Sequence, residues 1–445
     1  MTIKLAQAVP WTPHPRAATS DSRAGSQFVS QANGTRSCCG GWQFEFTGVT
    51  PGHRYRIAVD AVLKDVDLPS DAVACLAIWG KVAPDFSRLG MSFFWDYICA
   101  TASGSEMQRF SGTFIAPEAC DTVTIRTTLR WTSRGTVNWS LPELQDLGET
   151  APRPPVRVAV VTGQEGDARA SRPTLAEGID FYAGLTERAC EKHGAHLIAL
   201  PEIGPQWHMP EHAFDKATPV PGPVTDRFAE IARRHDATIV VGLHEREGDA
   251  VFNSAVVIDA GGHIAGTYHK VHLASFEAFS GVSPGDDFPV WETRVGRIGC
   301  NICMDSSAAE SSRMVGLNGG DFLVLPIMGD HRASVWHKGN PVLDEGRWQA
   351  IMRTRAMDNQ LTMVVARNNS TASCIIDRSG EILAYNDGTA DMIVADVTLD
   401  DDYRKWNGGC FRQVNWRQRR PGRYGAFVHP APEALTKLTR GIQTP

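Results

Sequence analysis

A proline-rich stretch, Ala151-Pro-Arg-Pro-Pro155, divides this chain into two parts with different hydrophobic rhythms. Upstream of it, inward-facing residues recur at every second position: Trp42, Phe44 and Phe46; Tyr55, Ile57, Val59 and Ala61; Val123, Ile125, Thr127, Leu129 and Trp131. Period two is the rhythm of strands with one buried face. Further apolar segments at 72–82, 92–100, 109–115 and 135–141 bring the expectation to about seven strands with turn residues between them. Residues 1–150 are therefore expected to form an antiparallel β-sandwich. Six tryptophans fall here, at 11, 42, 79, 95, 131 and 139, and their alternation favours core packing over a sugar-stacking platform.

Downstream of the stiff linker, short apolar runs alternate with helical patterns. Strands are expected at 156–162, 196–200, 238–243, 255–258, 297–302, 322–325, 361–366 and 392–397, with a hairpin around Asp377-Arg-Ser-Gly380. Between them, Ser171 and Pro173 open a helix that carries Leu175, Ile179, Tyr182, Leu185 and Ala189 on one face and ends near Gly194. Further helices are expected at 224–235, 308–317 and 344–359. Strands and helices in alternation indicate a layered α/β domain, here 156–403.

Composition bounds the function. A chain of 445 residues exceeds one ordinary core, and 42% hydrophobic with 21% charged residues is enough to fold. A net charge of −6 argues against general nucleic-acid binding. No apolar run approaches the roughly 18 residues of a membrane helix. The first residues, interrupted by Pro10, lack a secretory h-region, so a cytoplasmic protein is expected. The ten cysteines are too sparse for a disulfide framework. Cys300 and Cys303 form a C-x-x-C without a second pair, and Pro210 separates His208 from His212, so no metal site is expected.

The chemistry lies at three expected strand ends. Glu202 closes the run from His196, Lys270 closes Thr267-Tyr-His-Lys270, and Cys303 closes Ile298-Gly-Cys-Asn-Ile-Cys303. Strand ends of α/β domains form binding crevices. A carboxylate, an ammonium and a thiol together make a base, an oxyanion stabiliser and a nucleophile for acyl transfer. A thiol between a strand and the expected helix from Ser306 to Gly316 sits where the helix dipole favours the thiolate.

These segments resemble the motifs of the nitrilase superfamily of carbon–nitrogen hydrolases. Leu200-Pro-Glu202 is similar to its glutamate motif, Gly266-Thr-Tyr-His-Lys-Val-His-Leu273 to its lysine motif, and Gly299-Cys-Asn-Ile-Cys-Met-Asp305 to its cysteine motif. Val241-Gly242, Glu245-Arg246, Asn253-Ser254, Ser283-Pro-Gly285, Arg355-Ala-Met-Asp-Asn359 and Ser379-Gly380 support the match. The resemblance implies an α-β-β-α four-layer sandwich, subunits associated through a helical face as a homodimer or larger homo-oligomer, and no cofactor. It implies Cys303 as nucleophile, Glu202 as general base, Lys270 and the N–H of Met304 at the oxyanion, and Glu277 as a second glutamate. Ala309 stands before Glu310 where many members have proline. Met304-Asp305 replaces the Trp-Glu of nitrile-cleaving members and points to an amide or N-carbamoyl substrate.

The implied activity is hydrolysis of a small-molecule amide through a cysteine thioester. Nitrile hydrolysis, acyl transfer to an amine, and a non-catalytic carbohydrate-binding scaffold are the alternatives. The N-terminal part more loosely resembles galactose-binding-like jelly rolls through Gly40-Gly-Trp-Gln-Phe44 and Gly135-Thr-Val-Asn-Trp139. The basic arm 404–445, with Arg412, Arg417, Arg419, Arg420 and Arg423, is expected at a subunit interface. Trp207, His208, His331, Arg332 and Trp336 are candidate substrate contacts. Arg332 suits a substrate carboxylate.

Overall fold

The computed structural model describes residues 2–80, 94–104, 106–117, 120–149, 151, 153–399 and 419–429. The chain divides into two compact units, Arg153–Asp400 and the remainder.

The first unit contains two antiparallel sheets. One runs in the order Lys4–Trp11, Cys39–Thr47, Thr122–Arg130, Val73–Trp79, Phe94–Ile98. The other runs Ser20–Ala24, Gln27–Gln31, Thr136–Trp139, His53–Lys64, Met107–Ile115, Ala100–Ser103, and Glu143–Glu149 also pairs with His53–Lys64. Phe44, Trp79, Val123 and Ile125 of the first sheet share one apolar cluster with Phe28, Tyr55, Val59, Phe110 and Trp139 of the second. The alternating segments are thus strands, but twelve strands are described here, more than the alternation marked. Lys4–Trp11, Ser20–Ala24 and Glu143–Glu149 are largely exposed and so carry no apolar rhythm.

Trp42, Trp79 and Trp139 are buried, as alternation implied. Trp131 is 53% exposed, and the guanidinium groups of Arg130 and Arg420 lie 3.9 Å and 5.8 Å from its ring centroid. Residues 404–418 and 430–445 of the basic arm, with Arg412 and Arg417, lie outside the described residues. The described stretch groups with the β unit, where Arg420 pairs with Asp71 at 2.8 Å.

The second unit has two six-stranded sheets. One is ordered Ile264–His269, Ala250–Ile258, Thr238–Glu247, Leu197–Ala199, Val156–Val161, Met392–Val397. The other is ordered Val290–Thr293, Gly296–Cys300, Phe322–Ile327, Thr362–Arg367, Cys374–Ile376, Ile382–Tyr385. In each, three adjacent strands are parallel and the flanking pairs antiparallel.

Both faces of these sheets are buried, which explains their continuous apolar runs. Val158, Leu197, Val240 and Val257 pack inward against Ile298, Phe322, Val324 and Val364 of the other sheet. The outward faces pack on helices. Leu175–His193 and Pro223–His235 bring Tyr182, Leu185, Phe228 and Ile231 onto Val161, Ile198, Ile239 and Val241. Ala309–Leu317 and Glu345–Asn359 bring Val315, Trp348, Met352 and Ala356 onto Leu323, Leu325 and Met363. The order is α-β-β-α. Full burial of Phe228 or Ile231 contributes on the order of 1.5–3 kcal/mol each.

The first of these helices starts one turn later than Ser171 suggested. Thr174 is its N-cap, in a reciprocal capping box with Glu177, and Gly194 ends it in the left-handed region.

Candidate functional site

Leu197–Ala199 and Ile264–His269 run in the same direction within one sheet, so Glu202 and Lys270 leave at the same edge. Gly296–Cys300 of the facing sheet leads to Cys303. The backbone turns sharply at two of these three exits. Ile203, just after Glu202, has φ +45° and Cys303 itself has φ +43°. A β-branched residue in this region is a true outlier and stores strain, as functional sites often do.

The strand behind Glu202 must have no side chain at Gly242. A Cβ there would approach Pro201 O to 2.5 Å and Glu202 Cα to 3.1 Å. Asn368, which follows the strand Thr362–Arg367 of the opposite sheet, donates its Nδ2 to Glu202 O at 2.6 Å. The segment after Glu202 is held by the buried Gln206, which donates to Lys216 O and His244 O and accepts from His244 N.

Lys270 is 1% exposed and sits between two carboxylates. Its Nζ donates to Glu202 Oε1 at 2.9 Å and to Glu277 Oε2 at 2.7 Å. Asn253 Nδ2 donates to Glu202 Oε1 at 2.9 Å and to Glu277 Oε1 at 2.7 Å. Met328 N donates to Glu202 Oε2 at 3.0 Å, and Ala274 N to Glu277 Oε2 at 2.8 Å. Glu277 belongs to the short helix Ser275–Phe279 and is buried.

These contacts decide charge states. Burial alone would discharge Lys270, but the Glu202 and Glu277 carboxylates outweigh it and hold the ammonium above its usual range. Burial likewise disfavours the Glu277 carboxylate, yet Lys270 and the hydrogen bonds from Lys270, Asn253 and Ala274 keep it below the ordinary value. Cys303 goes the other way. Burial, then the Glu202 charge, push its thiol up to about 12, with only partial relief from Lys270.

This corrects the expectation of a dipole-stabilised thiolate. Cys303 does not open an α-helix. It begins a 3-10 turn, Cys303–Ser307, and the α-helix starts later at Ala309. Cys303 Sγ lies 3.7 Å from Gly329 O and rests as a neutral thiol. Cys300 is fully buried in the core between the sheets.

The turn is braced by Asp305, which is fully buried. It accepts from Tyr268 Oη at 2.7 Å, Ile302 N at 2.8 Å and His272 N at 2.9 Å, with His272 Nδ1 at 2.8 Å. The first backbone bond of the turn is Asp305 N to Ile302 O, so the N–H of Met304 precedes it. Ser306 Oγ donates to Asp330.

The structure therefore brings Cys303, Glu202, Lys270 and Glu277 together. The candidate substrate contacts are more scattered. Trp207 and His208 are half-buried on the segment held by Gln206. His331 is exposed, and Trp336 is 78% exposed on the hairpin Ser334–His337 with Asn340–Leu343. The Arg332 guanidinium is taken up by the chain itself, through Asp330, Ser306 O and Ser307 O. Met328 carries no signal in the sequence, and Asp305, Tyr268 and Asn253 stood there only as parts of motifs. Among the described residues no group of His, Cys, Asp and Glu is arranged to hold a metal ion, and no helix is long and apolar enough to cross a membrane.

The carbon–nitrogen hydrolase family matches residues 157–406. A probable nitrilase of Schizosaccharomyces pombe is 29% identical over 46% of this chain and 76% of its own length. An omega-amidase of Xenopus tropicalis is 26% identical over 51% of this chain and 85% of its own. A citrullinase of Francisella tularensis is 26% identical over 61% of this chain and 98% of its own.

Proposed function

The chain belongs to the carbon–nitrogen hydrolase family, within the nitrilase superfamily, and we propose that it hydrolyses a small-molecule amide or N-carbamoyl compound through a thioester on Cys303. The carrying observation is the buried Glu202–Lys270–Glu277 cluster, joined to Cys303 by the segment Met328–Gly329: Met328 N donates to Glu202 Oε2, and Gly329 O lies 3.7 Å from Cys303 Sγ.

A neutral thiol needs a base at the moment of attack. Glu202 takes the proton of Cys303 as sulfur bonds to the substrate carbonyl carbon. An ammonium has three N–H donors. Lys270 gives two to Glu202 and Glu277, and the third is available to the developing oxyanion with the N–H of Met304. Glu202 returns the proton to nitrogen, the C–N bond breaks, and ammonia or an amine leaves. Water then loses a proton to Glu202 and attacks the thioester. The acid departs and the proton returns to Cys303 sulfur. Glu277 keeps Lys270 charged throughout.

Met304 in place of tryptophan favours amide over nitrile, and the names of the omega-amidase and citrullinase relatives lean the same way. We further read the N-terminal unit as a jelly-roll-like accessory module that serves assembly of a cytoplasmic homo-oligomer.

Ammonia release from a panel of amides, N-carbamoyl compounds and nitriles, with intact-mass analysis of Cys303, tests the reading. Turnover of amides or N-carbamoyl compounds with an acyl adduct on Cys303 is expected. Turnover of nitriles alone overturns the substrate class, and absence of any adduct overturns the thioester.

A further inference from the structure

Asn253 is 1% exposed and donates from one nitrogen to both carboxylates, Glu202 at 2.9 Å and Glu277 at 2.7 Å. Its Oδ1 is buried and unpartnered. A buried acceptor left without a donor is costly. The amide is thus set for its two donors, because the reversed amide would place oxygen against two carboxylates.

The two oxygens of Glu202 consequently differ. Oε1 receives Lys270 and Asn253, which fills both of its lone pairs. Among the described residues Oε2 receives only Met328 N, which leaves one lone pair for a further donor. The same backbone segment meets the nucleophile, since Cys303 Sγ lies 3.7 Å from Gly329 O. Oε2 is thus the carboxylate oxygen held by the segment that also meets the cysteine.

We propose that Asn253 is a positioning residue that saturates Glu202 Oε1 and thereby assigns proton transfer from Cys303 to Oε2. In that step the S–H bond breaks, the proton bonds to Oε2 and sulfur bonds to the substrate carbon; the later transfer to the leaving nitrogen uses the same oxygen. This rests on the reading of Glu202 as the base. The charged or titratable groups around the pair are Lys270 and Cys303, with His244 coupled to Lys270 and Glu277.

The test uses the full chain with Asn253→Ala, Asn253→Asp and Glu202→Gln. Hydrolysis of an amide that the wild type turns over is followed from pH 4 to 10, about the range a carboxylate and a cysteine titrate over. Asn253→Ala is expected to lower kcat about 100-fold with little change in KM. Removing a donor to the ionised carboxylates disfavours their charged forms, so the acid limb should move up by about one pH unit. The isosteric Asn253→Asp guards against misfolding; it adds a third carboxylate and should be most impaired above neutral pH, recovering as it is protonated. Either variant with a wild-type profile and kcat within about threefold overturns the role of Asn253. Loss of yield or thermal stability without movement of the acid limb also overturns it. Glu202→Gln with normal activity overturns the underlying reading instead.

Discussion

Tyr268 donates its hydroxyl proton to Asp305 Oδ2 at 2.7 Å, and this bond ties the strand that delivers Lys270 to the turn that carries Cys303. Both side chains are buried, and burial together with Asp305 pushes the phenol far above its usual range, so it remains a donor. Tyr268→Phe leaves Asp305 short of one donor and should cost about 1–3 kcal/mol. Urea unfolding at neutral pH measures it. A cost below about 0.5 kcal/mol would show that the remaining donors to Asp305 suffice.

Gly242→Ala should impair turnover without touching any reacting group. The new methyl would collide with Pro201 O and crowd Glu202 Cα. Displacement of a catalytic group by about 1 Å can cost on the order of 100-fold in rate. Steady-state kinetics should show the loss mainly in kcat, and wild-type kcat would mean that the strand yields at no expense to Glu202.

Cys303 should alkylate slowly in the resting protein, with a rate that climbs continuously with pH. Its thiol is pushed up to about 12, so the thiolate fraction grows throughout the neutral and mildly alkaline range. Iodoacetamide labelling followed by mass spectrometry gives the profile. A plateau near neutral pH would mean a preformed thiolate. Cys303→Ala should stay folded and lose turnover and labelling at this position.

Lys270→Met should be severely destabilising, because it strands two buried carboxylates. Breaking a buried ion pair from one side costs about 3–5 kcal/mol. In the intact protein Glu277 titrates below 4.5, so its contribution is present above that value and is lost as pH falls through its folded pKa. Lys270 titrates above 10.5, so its contribution is present below that value and is lost as pH rises through its folded pKa. Thermal unfolding of wild type and Glu277→Gln across pH 3–7 should therefore converge at the acid end, about where carboxylates titrate. A gap that stays constant with pH would contradict the linkage.

Much of this protein is written locally. Alternation marks Thr122–Arg130 as a strand, although its polar positions prove buried as well, and the unbroken apolar run Phe322–Ile327 marks a strand buried on both faces. The short motifs around Glu202, Lys270 and Cys303 carry the family and the residues of the site. Exposed strands such as Lys4–Trp11 bury no face and so leave no rhythm to read.

What the linear order withheld is whatever depends on residues far apart meeting under burial. Asn253 reaches Glu202 and Glu277, 51 and 24 positions away. Whether Cys303 rests as thiol or thiolate depends on desolvation and on the nearness of Glu202, neither of which the cysteine motif records. A 3-10 turn stands where dipole stabilisation of a thiolate would need an α-helix. Residue type by itself determined which groups can do acyl transfer. Tertiary structure decided their charge and aim, because both follow from distance and dielectric, which exist only once the two sheets have closed on each other.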